Sequence, residues 1–166
     1  MNTKITLILI FALIGLASCL KPETFPTEPA IKFESFSITQ DSGTLVISFT
    51  DGDGDIGLLE SDTTGSFAPN QKFHHNLFIE YYEKDDAMGW VRGKDLSGND
   101  IIFLYRIPYL TPNGNNKALK GKIEVVIEPT FYNPISSQSD TIKYRIKLAD
   151  RKLNESNEIE SPVITR

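Results

Sequence analysis

Beyond residue 30 the chain alternates apolar and polar residues with a period of two, and no stretch sustains the 3.6-residue period of an amphipathic helix. Ile142-Lys143-Tyr144-Arg145-Ile146-Lys147-Leu148 is the cleanest case. Four apolar side chains face one way and three cations the other, as on a half-buried antiparallel strand with a wet outer face. Leu45, Ile47 and Phe49 form a second inward row within 44–50, and Ile123, Val125 and Ile127 a third within 122–128. Within 31–40 the apolar positions shift from Ile31 and Phe33 to Phe36 and Ile38, which predicts a bulge or bend near Glu34-Ser35, of the kind at which a strand passes between sheets. Stretches 77–84 and 101–107 carry aromatics on both faces, and Trp90-Val91 predicts a short piece between them with its indole in the core. Seven or eight strands without intervening helices exclude a parallel βαβ layout. They predict an all-β fold, a single antiparallel two-sheet sandwich over residues 31–166.

The first 18 residues follow another rule. A basic start at Lys4 precedes an apolar run from Ile5 to Leu16, interrupted only by Thr6 and Gly15, which is the layout of a bacterial export signal and too short to span a bilayer. Leu16-Ala17-Ser18-Cys19 then resembles the lipobox of bacterial lipoproteins. That resemblance implies diacylglycerol on the Cys19 thiol, cleavage of residues 1–18, and attachment to the membrane through acyl chains. Two or more chains hold a protein on a bilayer durably, at about 0.8 kcal/mol per buried methylene. Residues 19–30, with proline at 22, 26 and 29, read as an extended tether able to lift the domain roughly 30 Å at about 3.1 Å per residue. Leu20-Lys21 does not resemble an inner-membrane retention signal, so the resemblance implies the outer membrane, on either face. Cys19 is the sole cysteine, which leaves no disulfide or thiolate chemistry to the folded domain.

Composition narrows the classes of partner. Among 166 residues, 40% are hydrophobic and 23% charged, ordinary values for one globular domain. Seventeen basic and 22 acidic residues give a net charge of -5, and loss of Lys4 with the signal makes it about -6, so nucleic acid is excluded as an expected partner. There is no G-x-S-x-G, no phosphate-binding glycine loop and no H-E-x-x-H, and the expected protein is not an enzyme. His74 and His75, the only histidines, point to opposite faces on an extended chain and do not chelate together. A carboxylate pair for glycoside hydrolysis stays open, because its separation is set by the fold.

One segment carries sharp chemistry. Strand 44–50 runs into Asp51-Gly52-Asp53-Gly54-Asp55-Ile56-Gly57-Leu58-Leu59-Glu60-Ser61-Asp62. Carboxylates at alternate positions with glycines between them are able to converge on Ca2+, which takes six to eight oxygens. Asp51, Asp53 and Asp55 are the candidate ligands, with Glu60 or Asp62 as additions. Ile56 stands where an EF-hand needs glycine and Asp62 where it needs glutamate, so that motif is rejected. The alternative is a tight turn whose glycines supply positive φ while its aspartates cap amides.

Residues 142–157 resemble the F strand and FG hairpin of immunoglobulin-like and fibronectin type III domains, with Tyr144 as the tyrosine-corner residue. The lipobox, Phe49-Thr50-Asp51-Gly52-Asp53-Gly54-Asp55-Ile56-Gly57 and Asp150-Arg151-Lys152-Leu153-Asn154-Glu155-Ser156-Asn157 together resemble uncharacterised Bacteroidota envelope lipoproteins. This implies an immunoglobulin-like sandwich at the cell envelope and no particular reaction. Long loops at 59–76, 108–120 and 129–141 carry Phe67, Phe73, Tyr109, Phe131 and Tyr132. These aromatics either meet a ligand or fold back over the sheet edges. The expected function is a non-catalytic binding or assembly module for an envelope protein or glycan, stiffened by calcium; the alternative is a carbohydrate-binding accessory of a glycan uptake system.

Overall fold

The computed structural model describes residues 23–112 and 116–166, so the expected signal over 1–18 and the lipidation site Cys19 lie outside the described residues. The inward rows become strands: β1 (Ala30–Thr39), β2 (Ser42–Asp51), β3 (Leu77–Asp85), β4 (Gly89–Arg92), β5 (Ile102–Tyr105), β6 (Leu119–Ile127), β7 (Thr141–Leu148), β8 (Ile159–Glu160) and β9 (Ile164–Thr165). Short 3-10 turns at Gly65–Phe67 and Lys72–His74 interrupt the loop before β3. Among the described residues no helix is long and apolar enough to cross a membrane.

Two antiparallel sheets result, β1-β2-β6 and β4-β3-β7-β8, with β5 joining β3 and β9 joining β7. In immunoglobulin lettering β1, β2 and β6 are A, B and E, and β3, β7 and β8 are C, F and G. The fold is an all-β sandwich with nine strands rather than seven or eight. One source of the excess is the last edge, which splits around Pro162 into two-residue pieces that pair with opposite halves of β7.

Between the sheets lie Ile31, Leu45, Ile47 and Phe49 from one side and Leu77, Ile79, Ile142, Ile146 and Leu148 from the other. Each such side chain contributes about 1.5–3 kcal/mol on full burial. Tyr144 is fully buried among Phe36, Tyr81 and Phe103, and its hydroxyl donates to the Phe131 carbonyl in the β6–β7 connection, the corner bond expected of it.

Four expectations are corrected. The bulge occurs between Phe33 and Ser35, but β1 stays paired with β2 on both sides of it. The link to the second sheet is a side chain: Ile31 N donates to Asn157 Oδ1 at 2.8 Å and Asn157 Nδ2 donates to Ile31 O at 3.0 Å. Trp90 does not enter the core. It lies half-buried on β4, its ring 4.8 Å from Lys143 Nζ and 5.4 Å from Lys84 Nζ. The outer face of β7 is correspondingly not bare. Lys143 is 9% exposed beneath Trp90 and pairs with Glu160 at 2.8 Å, while Arg145 lies 4.7 Å from the Tyr82 ring centre. Flanking strands bring aromatics and acids over the cations, and the lysine stem tolerates that cover.

The fourth correction concerns the tether. Glu23 pairs with Lys120 at 2.5 Å and accepts from Asn116 Nδ2 at 3.1 Å through its carbonyl. The backbone at Phe25 and Pro26 lies so close to Gly52 that a Cβ there would stand 2.2 Å from the Phe25 oxygen. Residues 23–29 are therefore docked on the sandwich rather than forming a free spacer. A glycine at 52 is what lets the two backbones approach.

Candidate metal centre

The strand period places two carboxylates at one end of the core. Asp51 continues the inward row Leu45, Ile47, Phe49 and is fully buried; Asp150 continues Ile142, Tyr144, Ile146, Leu148 in the facing sheet and is 1% exposed. A third, Asp55, comes from the turn after β2, which is tied to the same place by the Ile56–Asp150 bridge and by Arg151 N donating to Asp55 O at 3.2 Å. Carboxylate oxygens of Asp51, Asp55 and Asp150 lie within 4.8 Å of one another.

The turn is built to hold this arrangement. Asp51 Oδ2 accepts from Gly54 N at 2.7 Å and Asp55 N at 3.0 Å, and Gly54 adopts φ +74° with the Lys117 carbonyl 2.3 Å from where a Cβ would sit. Asp150 is oriented by Asn154, whose backbone N and Nδ2 donate to its two oxygens at 2.8 and 2.7 Å. Among the described residues no hydrogen bond reaches Asp51 Oδ1, Asp53 Oδ1 or either carboxylate oxygen of Asp55, all buried. Buried acceptors without donors are costly, and a cation removes that cost.

The electrostatics point the same way. Burial, reinforced by Asp53 and Asp150, pushes the Asp51 carboxyl up. Burial together with Asp150, Asp53 and Asp51 pushes Asp55 up to about 6, against the pull of Lys152. Lys152 pairs with Asp53 and stands 3.5 Å from Asp55 Oδ2, but its side chain is 60% exposed. Among the described residues the cation paired with the cluster is this one solvated ammonium. An all-oxygen, anionic donor set on two loops suits a hard divalent ion, and the absence of imidazole or thiolate in the set disfavours a soft one.

The remaining candidates separate. Asp53 stands beside the cluster, held by Lys152. Asp62 turns away to a two-pronged pair with Arg151 at 3.0 and 3.1 Å and accepts from Leu59 N at 2.8 Å; the Arg151 hydrogen bond holds its carboxyl below the usual range. Glu60 is exposed and outside the cluster. Sequence reasoning missed Asp150, although its phase with Leu148 was a usable signal.

Two other features bear on function. The rings of His74 and His75 touch edge to face at 4.9 Å, and His74 Nδ1 is bonded to Phe67 O at 2.9 Å. The 3-10 turn, not an extended chain, sets their directions, which corrects the expectation of opposite faces. A groove of about 500 Å³ crosses the outer face of β3, β5 and β7, floored by Phe78, Ile102 and Leu104 and edged by Glu80, Arg145 and Lys147. The loop aromatics divide: Phe131 is core at 2% exposure, whereas Phe67, Phe73 and Tyr109 are half-buried. The chain matches no protein-family model, and no curated protein matches it.

Proposed function

We propose that this protein is a non-catalytic binding module, held on the outer membrane by acyl chains at Cys19, whose sandwich is clamped at one end by Ca2+ bound to Asp51, Asp55 and Asp150. The convergence of these three carboxylates from two chain segments, with buried oxygens left unbonded, carries the reading. A clamp between the β2–β3 and β7–β8 connections stabilises the folded state only, so calcium at a hundred times its Kd adds about 2.7 kcal/mol. For a chain of this size that raises the melting temperature by about 5–10 °C. Melting the purified protein with calcium and with chelator tests this, and identical transitions contradict it. Metabolic labelling with a fatty-acid probe tests the anchor, with loss of label in Cys19→Ala expected.

The groove on the outer sheet face favours a second reading, a carbohydrate-binding accessory of a glycan uptake system. An apolar floor at Phe78 among donors and acceptors is the mixture on which a sugar ring packs. A glycan array probed with the native protein and with Phe78→Ala decides it: binding lost in the variant supports a sugar site, and no binding by either protein rejects it.

A further inference from the structure

We infer that the acidic end of the sandwich is a membrane-facing surface, where the ion held by Asp51, Asp55 and Asp150 takes additional oxygen ligands from the phosphates of lipid headgroups around the anchor. The inference rests on the proposed lipidation of Cys19 and on the calcium clamp.

The place where the chain enters the fold fixes which end meets the bilayer. Glu23 is pinned by Lys120 and Asn116, and Phe25–Pro26 by Gly52, the residue after Asp51. Three residues lie between Cys19 and Glu23, and the four residue steps span at most about 14 Å when fully extended. An acylated Cys19 therefore keeps the chain's entry at the acidic end within about 14 Å of the anchor, roughly twice the thickness of one headgroup layer. The opposite end, carrying the β3–β4 hairpin, is held away.

The chemistry of that end is incomplete without an outside anion. Calcium takes six to eight oxygens, more than three carboxylates sharing their lone pairs with Gly54, Asp55 and Asn154 amides supply. Asp55, with two unbonded oxygens, also lines a cavity of about 550 Å³ whose walls include Lys117, Arg151 and Lys152. Cations around an open calcium position suit a phosphate diester. Without the ion, Asp53 and Asp55 at the cavity are the part-exposed carboxylates of this end, beside Lys117, Arg151 and Lys152, and the processed chain's net charge of about -6 opposes approach to an anionic surface. Close apposition is thus expected to require calcium.

Trp90, the only tryptophan, makes the test direct. It pairs with Lys84, seven residues along β3 from Leu77, hence about 23 Å further from the acidic end at about 3.3 Å per residue. The full-length lipidated protein is reconstituted into phosphatidylethanolamine–phosphatidylglycerol vesicles containing a lipid with a nitroxide headgroup. Native protein reports from Trp90; W90F/Y109W and W90F/F67W report from the cavity at the acidic end. Both cavity reporters lose emission in calcium and regain it with chelator, and D55N abolishes the loss; Trp90 keeps its emission throughout. Quenching of Trp90 in place of the cavity reporters, or cavity quenching indifferent to chelator, overturns the inference. If the chain carries no fatty-acid label, the anchor reading fails and this inference with it. A labelled protein whose melting responds to calcium while its quenching does not leaves the clamp standing and rejects the lipid contact alone.

Discussion

At the scale of single residues, the proposed calcium clamp would link protonation to metal binding at Asp55. In calcium-free solution burial and its three acidic neighbours push its carboxyl up from 3.8 to about 6. Between those values the folded protein keeps a proton that the unfolded chain releases. The stability this group contributes is full below about pH 3.8 and is lost as pH rises through about 6. Ion-paired carboxylates such as Asp62 and Asp100, held below the usual range by Arg151 and by Lys94 with Arg92, act at lower pH, whereas Asp51, pushed up by burial, adds to the decline and His75, pushed below 6.5 by burial, opposes it at the upper edge of the window. Melting in chelator is therefore expected to weaken between pH 4 and 6.5, Asp55→Asn to flatten that decline, and calcium to abolish it; a wild-type profile that matches the variant's contradicts the assignment. Tyr144 illustrates a different residue-scale cost. Tyr144→Phe leaves the Phe131 carbonyl without its donor in the core, and a loss of about 1–3 kcal/mol is expected in urea unfolding.

At the scale of elements, the strands were readable from their buried inner faces, and the inward rows in 44–50, 122–128 and 142–148 all reappear in register. Trp90 was misplaced because a four-residue edge strand gives too little pattern to say which face is covered. Asp51 and Asp55 were readable as neighbours in a turn. Asp150 was missed: its phase with Leu148 marked it as inward-facing, but only the packing of the two sheets brings it to Asp51 and Asp55. Side chains also stand in for missing strand partners. Asn157 bonds both backbone groups of Ile31, and Asn76 those of Ile107 at 2.6 and 3.3 Å. Asn157→Ala should cost about 1–3 kcal/mol and speed hydrogen exchange at the Ile31 amide, where β1 meets the second sheet. In the acidic turn, Gly54→Ala meets both a positive φ and the Lys117 carbonyl, so it should lower stability by about 1–3 kcal/mol and weaken calcium binding as well.

At the scale of the whole molecule, three features share one end: the docked entry of the chain at Glu23, the carboxylate cluster, and the cavity edged by Lys117, Arg151 and Lys152. The groove floored by Phe78 opens instead on the outer face of the larger sheet. Under the proposed function, this places the anchor and the clamp at one end and the recognition surface on a sheet face. The account stands on an ion joining loops from both sheets. Calorimetric titration of calcium into the metal-free protein measures that most directly. One site per chain is expected, lost in Asp150→Asn and retained in Glu60→Gln; binding that survives Asp150→Asn, or no binding by the native chain, contradicts it.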